Sequence, residues 1–345
     1  MSKGGRSGAE ESRREPAGRP PEAGRGTSGH EPQDSRGEGG PSDRPEASDQ
    51  QAGTGVYPQN RALGREGGRW LSPLFSAEHA PRYQRQELIR EYEAAHGCRL
   101  VVVVDILLED SIVLFEELLF DADPSQDLHV LIDSPGGDGE TAVRMARAAQ
   151  QRCRELVAVV PNQAKSAATI FAMGAHRIVM GPTSDLGPVD PQVEVAGSWV
   201  AAKDLIGAVD KAYSDVEQRP ETYPIHATLL ADVNAILVEQ ARSALARTED
   251  LVLEALSSNP DRKPDEVAEI QRKAKDPLID KPQSHAAIIG PDAAALAGLT
   301  IDRWDPQSDA WRLLWALYTR YVSLGAGPRY RVYEARRASQ VLPTQ

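Results

Sequence analysis

The sequence predicts an α/β fold with a layered parallel sheet, followed by a mostly helical part. The continuous run of β-branched residues at Leu100–Ile106 is typical of a strand buried on both faces. Shorter apolar runs follow it and alternate with amphipathic helical segments, at a spacing that favours parallel strands joined by right-handed crossovers. The predicted strands are Leu100–Ile106, Leu128–Asp133, Leu156–Val160 and Arg177–Met180, and the predicted helices between them are Ser111–Phe120, Gly139–Arg152 and Ala167–Gly174.

The alternation of apolar strands and amphipathic helices stops on both sides of this α/β segment. Residues 62–93 are polar with scattered aromatic side chains, which indicates an arm that packs on a neighbouring element, and a helix is predicted around Arg82–His96. A hairpin is predicted at Val193–Ala201. The end, Ser323–Gln345, is basic and is expected to be loose. The helices predicted after the hairpin are roughly Lys203–Val216, Ala227–Leu256, Pro264–Ala274, Pro291–Ala297 and Ser308–Val322.

The first 55 residues have a different composition from the rest of the chain. Between Ser2 and Gly55 there is no Val, Ile, Leu, Phe, Tyr, Trp or Met, and this stretch holds 12 of the 28 glycines. Such a segment buries too little apolar surface to offset its chain entropy. We therefore expect a disordered Gly/Pro-rich leader over residues 1–60, without chemistry of its own.

Charge and composition exclude several classes of protein. The chain has 39 Lys and Arg against 51 Asp and Glu, a net charge of −12, which argues against binding to nucleic acid. Two cysteines, Cys98 and Cys153, are too few for a disulfide framework or a Cys-based zinc site. No apolar run reaches the roughly 18 residues of a membrane span, and we expect no signal peptide. We expect a cytoplasmic protein with no metal and no cofactor.

Two turns carry the candidate chemistry. The first, Asp133–Gly139 (DSPGGDG), follows a buried strand, where sites lie in open α/β sheets. Adjacent Gly136 and Gly137 allow close approach of the backbone and expose N–H groups to an oxyanion or phosphate. The alternative is a tight turn before a helix. This first turn is not a P-loop, because no Gly-Lys-Ser/Thr follows at the required spacing.

The second turn contains Ser166. It also follows a strand and begins a helix, where unpaired N–H groups and the helix dipole favour an anion. The small residues Ala167 and Ala168 would let a substrate approach, as an activated serine requires. The alternative is that Ser166 is an ordinary helix N-cap. Two such turns on successive strands favour the catalytic interpretation.

These motifs resemble those of the ClpP/crotonase superfamily. LIDSPGGDGETA (131–142) and AKSAATIFAMGAHRIVMGPTSDLGPVDPQ (164–192) resemble in particular the serine dehydrogenase proteinase (SDH) family of Clp-fold serine proteinases. The resemblance covers about Leu100 to Gln192 and extends more weakly to Ile301. It implies a repeated ββα spiral core, a serine endopeptidase activity on protein or peptide substrates, and a homo-oligomer.

The resemblance also implies roles for individual residues. Ser166 takes the place of the nucleophile. The N–H groups of Gly137 and Ala167 would form the oxyanion hole, and Gly136 would support the turn. The reaction would proceed through an acyl-enzyme that water releases.

The general base departs from the ClpP pattern. ClpP has a His about two dozen residues after the serine, and this stretch offers Asp190 but no His. The resemblance to other Clp-fold peptidases implies a Ser–Lys dyad. Two lysines are candidates for its base, because Lys203 and Lys211 lie 37 and 45 residues after Ser166. Lys203 follows an apolar run and is the preferred base, Lys211 is the alternative, and Asp190 would orient the base or brace its loop. His285, in the late segment, could also reach the site.

Three functions and a domain plan follow. The preferred function is a serine peptidase, and the alternatives are an inactive Clp-fold scaffold or adaptor and a crotonase-like acyl-CoA enzyme. The predicted domain plan is a leader, an N-terminal arm and helix, a ClpP/crotonase-like domain with a helical insertion at about 203–275, and a C-terminal helix and tail: residues 1–60, 61–97, 98–302 and 303–345 respectively.

Overall fold

The computed structural model describes residues 72–344 except 283 and 285, together with two short paired strands, β1 and β2. The strands are β1 Arg65–Glu66, β2 Arg69–Trp70, β3 Cys98–Val104, β4 Asp127–Asp133, β5 Leu156–Val160, β6 Gln163–Ala164, β7 Arg177–Met180, β8 Asp185–Leu186, β9 Gln192–Val195, β10 Ser198–Ala201, β11 Ile301–Arg303, β12 Tyr330–Ala335 and β13 Ser339–Pro343. The helices are α1 Pro73–His96, α2 Ser111–Leu119, α3 Gly139–Gln150, α4 Ala167–Met173, α5 Ala202–Gln218, α6 Tyr223–Leu229, α7 Ala235–Ser257, α8 Pro264–Lys275, α9 Pro291–Leu296 and α10 Asp309–Leu324.

A mixed sheet forms the centre of the fold. Its seven strands run in the order β11-β7-β5-β4-β3-β12-β13. Neighbours from β11 to β3 are parallel, whereas β12 and β13 are antiparallel. Because β3 and β5 are buried at every residue, their continuous β-branched sequences suit strands covered on both faces.

Two apolar cores lie on opposite faces of the sheet. Alternation along β3 sends Val101 and Val103 into one core and Leu100 and Val102 into the other. Helices α1 and α10 cover the second of these, and α2, α3, α4 and α7 contribute to the first. The predicted α/β fold class is confirmed, and each predicted core strand and helix has a counterpart within two residues at either end.

The helical predictions differ from the structure in two places. Helix α1 begins nine residues earlier than the predicted Arg82, at Pro73, because the Ser72 hydroxyl accepts the N–H of Phe75 at 3.2 Å and caps the first turn. The single helix predicted at Ala227–Leu256 is wrong. In the structure a first helix ends at Leu229. A second helix begins after Asn234, whose side chain accepts the N–H of Leu237 at 2.9 Å.

The predicted loose C-terminal end is also wrong. Residues 330–343 form the hairpin β12–β13, and β12 pairs with β3 in the central sheet. On one face of β12, Glu334 forms a buried ion pair with Arg85 of α1 at 2.6 Å. Tertiary pairing therefore orders a segment whose composition is polar.

None of the helices in the described part of the chain is long and apolar enough to cross a membrane.

A buried histidine on β4 predicts how stability changes with pH. His129 is hydrogen-bonded to the Tyr92 hydroxyl at 2.9 Å, and burial, with a smaller contribution from the charge of Arg177, lowers the pKa of His129 to about 3. The unfolded chain binds this proton near the ordinary His pKa of about 6.5. Between these two values the unfolded state holds more protons, so the free energy of unfolding falls as pH falls.

We expect His129 to make the protein about 2 kcal/mol less stable at pH 5 than at pH 8. The His129→Gln variant keeps a polar partner for Tyr92 but does not titrate. Denaturant unfolding at both pH values should show a smaller loss on acidification in the variant than in the wild type. An equal loss in both proteins would contradict the assignment.

Candidate active site

Two turns meet at the carboxyl ends of the neighbouring parallel strands β4 and β5. We call residues 134–138 the Gly-Gly turn and residues 161–166 the serine turn. The Ser134 N–H donates to Gln163 O at 3.0 Å, and the Lys165 N–H donates to Ser134 O at 3.0 Å. Backbone hydrogen bonds therefore hold the two turns side by side, which is the position where open α/β sheets place their sites.

Ser166 has a strained backbone. Its φ of 48° and ψ of −115° lie in the left-handed half of conformational space, which among described residues other than glycine only Ala196 shares. Such a conformation costs about 1–3 kcal/mol and persists only where the surroundings impose it. Ser166 is positioned at the N-cap of α4, but its hydroxyl caps no amide of that helix. A sharp, strained strand-to-helix turn is typical of exposed nucleophiles.

Bonds on both sides impose the Ser166 conformation. The N–H of Ala168 donates to Lys165 O at 2.9 Å, and that of Ile170 donates to Ser166 O at 3.2 Å. The Thr169 hydroxyl is 2.7 Å from Ala164 O and accepts the Gly187 N–H at 3.1 Å. These bonds fix the serine turn at Ala164, Lys165 and Ser166.

The Gly-Gly turn lies between Ser166 and the backbone of Leu107. A Cβ on Gly136 would lie 2.7 Å from Ser166 Cβ, so that position has room only for glycine. A Cβ on Gly137 would lie 2.1 Å from Leu107 O. Leu107 donates its N–H to Gly136 O at 2.8 Å and accepts the N–H of Asp138 at 2.7 Å.

These two bonds set the direction of the Gly137 N–H. In a trans peptide the C=O of one residue and the N–H of the next point in opposite directions. Because Gly136 O points at Leu107, the Gly137 N–H points away from Leu107. Within the described part of the chain, neither this N–H nor that of Ala167 has a hydrogen-bond partner. Both amides are available to an oxyanion.

Lys165, directly before Ser166, makes no hydrogen bond to Ser166 Oγ. Its ammonium forms an ion pair with Asp185, and both side chains are largely buried. Gly187 packs so closely on it that a Cβ there would lie 2.5 Å from Lys165 Cδ. Lys165 therefore ties the serine turn to β8 and to the glycine that follows it.

The predicted base candidates occupy different environments. Asp190 is buried, at 2% exposure, in the segment after β8. Lys203, near the start of α5, donates to Ile279 O at 2.9 Å, Asp280 O at 3.4 Å and Pro282 O. Lys211 is exposed on the same helix. His285 lies outside the described residues. No described residue is hydrogen-bonded to Ser166 Oγ, so the base stays a prediction.

Two features beside the site were not predicted from the sequence. Leu107 contacts the Gly-Gly turn through its backbone, which leaves no signal in side-chain type. Asp133, at the end of β4, accepts hydrogen bonds from the Tyr318 hydroxyl at 2.5 Å and Asn162 at 3.3 Å, and burial raises its pKa. The position of Asp133 at a strand end was visible, but its partner on α10 was not.

Substitution of Gly137 tests this packing. Gly137→Ala places a methyl group against Leu107 O in a backbone with φ of 132°, and we expect it to lose about 1–3 kcal/mol of stability for the conformation alone. Gly207→Ala is the matched control, since nothing lies within 4 Å of its Cβ position in α5. Denaturant unfolding should show neutral or higher stability for the control. Equal effects of the two substitutions would contradict the packing.

Two archaeal proteins are similar to this chain in sequence. The chain is 24% identical over 201 residues to the uncharacterized protein MJ1495 of Methanocaldococcus jannaschii, and 27% identical over 151 residues to the uncharacterized protein MJ0137 of the same organism. These matches cover 54% and 44% of this chain, and 62% and 46% of the two relatives, so the chain spans less than two thirds of the length of either.

The family model of ClpP-like SDH-type serine proteinases matches residues 106–276, which include both turns. The resemblance predicted from the sequence is thereby confirmed, and residues 106–276 are similar to the ClpP-like SDH-type serine proteinases.

Proposed function

We propose that the chain is a serine endopeptidase that hydrolyses peptide bonds through an acyl-enzyme on Ser166. One observation carries the proposal. Ser166 has a strained backbone and a hydroxyl that caps no helix, and it touches Gly136 beside two amides without partners in the described chain. Strain of this kind is found at functional sites, where the surrounding structure maintains it.

The proposed reaction begins with attack of Ser166 Oγ on a peptide carbonyl, while the base takes the proton of the hydroxyl. The carbonyl oxygen becomes an oxyanion, which the N–H groups of Gly137 and Ala167 stabilise. Such a donor contributes roughly 10²–10³ in rate, because it is already oriented when the charge develops. The carbon–nitrogen bond then breaks, the amine leaves with a proton from the base, and water hydrolyses the ester to release the acid.

The scaffold alternative depends on Ser166 as a structural cap. The Ser166 hydroxyl accepts no amide of α4, so that role does not account for the residue. The left-handed backbone would be an unnecessary cost in an ordinary capping turn, since N-caps adopt extended backbone angles.

Lys203 stays the proposed base, with Lys211 as the alternative and Asp190 as the residue that orients it. The three carbonyls around Lys203 Nζ belong to residues 279–282. Leu278, next to that segment, accepts the N–H of Val189 at 2.7 Å, so Lys203 and the residue before Asp190 contact one connected region. To act as base, Lys203 must exchange a carbonyl for Ser166 Oγ.

Self-assembly and a cytoplasmic location complete the proposal. Helices α5, α6 and α7 expose large apolar side chains, and such patches mark protein–protein contacts. These side chains are 62–75% exposed and are Tyr213, Tyr223, Ile225, Leu229 and Ile236. A second copy of the chain would cover them.

Reaction with a fluorophosphonate tests the nucleophile. We expect the wild type to be labelled and to cleave an unfolded protein such as casein, and Ser166→Ala to lose both activities because no other group can form the adduct. Ser214→Ala is the control, since Ser214 is an exposed serine on α5. Equal labelling of Ser166→Ala, or no labelling of folded, assembled wild type, would contradict the proposal.

Two substitutions of Lys203 separate a base from a structural contact. Lys203→Met should lower the labelling rate by about 10²–10⁴, the usual contribution of a general base. Lys203→Arg can still donate to the carbonyls of Ile279 and Pro282, but it cannot accept a proton. We therefore expect the activity of Lys203→Arg to be as low as that of Lys203→Met.

Lys211→Met should react at the wild-type rate, because its exposed position places it in water. Activity restored in Lys203→Arg would overturn Lys203 as the base. Asp190→Asn and His285→Ala, assayed in the same series over a range of pH, would then identify the group that titrates.

A further inference from the structure

The loop that contacts the Gly-Gly turn is held by a residue far along the chain. Leu107 lies in residues 105–111, between β3 and the start of α2. Arg331, on β12, reaches this loop and is only 6% exposed. Its Nε is 3.0 and 2.9 Å from the two carboxylate oxygens of Asp105. Arg331 lies outside the residues that match the family.

The same guanidinium also binds the other end of the loop. Its two terminal nitrogens donate to Asp110 at 2.6 and 2.8 Å, and one of them lies 3.3 Å from Ser111 Oγ. Ser111 Oγ in turn accepts the N–H of Leu108 at 3.0 Å. The loop is therefore fixed on both sides of Leu107 by one side chain.

A second residue of β12 strengthens the contact. The Tyr333 hydroxyl donates to Asp105 Oδ2 at 2.7 Å. Burial raises the pKa of Asp105, whereas hydrogen bonds from Arg331 lower that of Asp110. Replacement of buried ion pairs by apolar packing is often neutral or stabilising, so stability alone accounts poorly for this cluster. A fixed position for the loop is the feature that it does supply.

We propose that Arg331 is a positioning residue for the Gly137 amide, acting through Leu107. Arg331 holds Asp105, Asp110 and Ser111, and these hold the loop. Leu107 then holds Gly136 O and the Asp138 N–H, and the trans peptide directs the Gly137 N–H. The catalytic part of this role rests on the proposed function.

Two substitutions weaken the cluster to different degrees. Arg331→Lys keeps the charge but cannot bind both carboxylates in the forked geometry of a guanidinium. Asp110→Asn is milder, because Asp110 is 59% exposed and the contact with Asp105 remains. Glu334→Gln is the matched control, since it weakens a buried ion pair of the same strand that faces α1.

Hydrogen–deuterium exchange measures the positioning without any reaction. We expect faster exchange in peptides covering 105–111 and 134–138 in Arg331→Lys, and a smaller increase in Asp110→Asn. Glu334→Gln should increase exchange in α1 and leave 134–138 unchanged. Wild-type exchange at 134–138 in both cluster variants would overturn the proposal, and so would an equal increase in the control.

Labelling kinetics with a peptidyl phosphonate measure the catalytic part. A misplaced oxyanion donor should lower kinact by about tenfold to a hundredfold in Arg331→Lys and leave KI unchanged, since KI reports binding. Glu334→Gln should stay near the wild type. An unchanged kinact in a reactive, folded Arg331→Lys variant overturns the role. A wild type that does not react refutes the proposed function, and the catalytic role with it, while the exchange data still decide whether Arg331 positions the turn.

Discussion

Two hydrogen bonds to the backbone of Leu107 fix the position of the Gly-Gly turn, and the geometry of the site depends on them. They bind Gly136 O and the Asp138 N–H at 2.8 and 2.7 Å. Because Gly137 lies between these groups, its N–H can point only away from Leu107. The contact is also so close that no side chain fits at Gly137. One backbone contact thus determines both the residue type and the direction of a donor.

Ser166 is constrained in a comparable way from the other side. The central strands β4 and β5 are buried between two apolar cores, so the turns that follow them start from fixed positions. Bonds across the serine turn then impose a backbone that Ser166 would not adopt alone. The surrounding sheet maintains the strained conformation of Ser166. The Ser166 hydroxyl is thereby held beside the Gly-Gly turn.

The sequence predicted the central fold well because the strands are covered on both faces. Continuous β-branched runs in β3 and β5 are a strong local signal. The break at Asn234 and the strands of the C-terminal hairpin were missed. Asn234 acts through one capping bond, and β12 is ordered by pairing with β3 and by contacts of Arg331 and Glu334. Neither effect changes the local hydrophobic pattern.

The two turns of the site could be predicted from the sequence, because a pair of glycines and a serine before small residues are local patterns that indicate a turn open to a ligand. The structure brings Gly136, Gly137 and Ser166 together. It leaves Lys211 exposed and surrounds Lys203 with carbonyls. The contribution of Arg331 could not be predicted, since it contacts Asp105 across 226 residues of sequence. A residue that acts through another residue's backbone has no motif of its own.

A crystal structure of the protein with a peptide boronate bound would test the central claim most directly. The account predicts a tetrahedral adduct on Ser166 Oγ, with its oxygen about 2.7–3.1 Å from the amide nitrogens of both Gly137 and Ala167. An adduct on another residue, or an adduct on Ser166 whose oxygen points into solvent away from both amides, would contradict it.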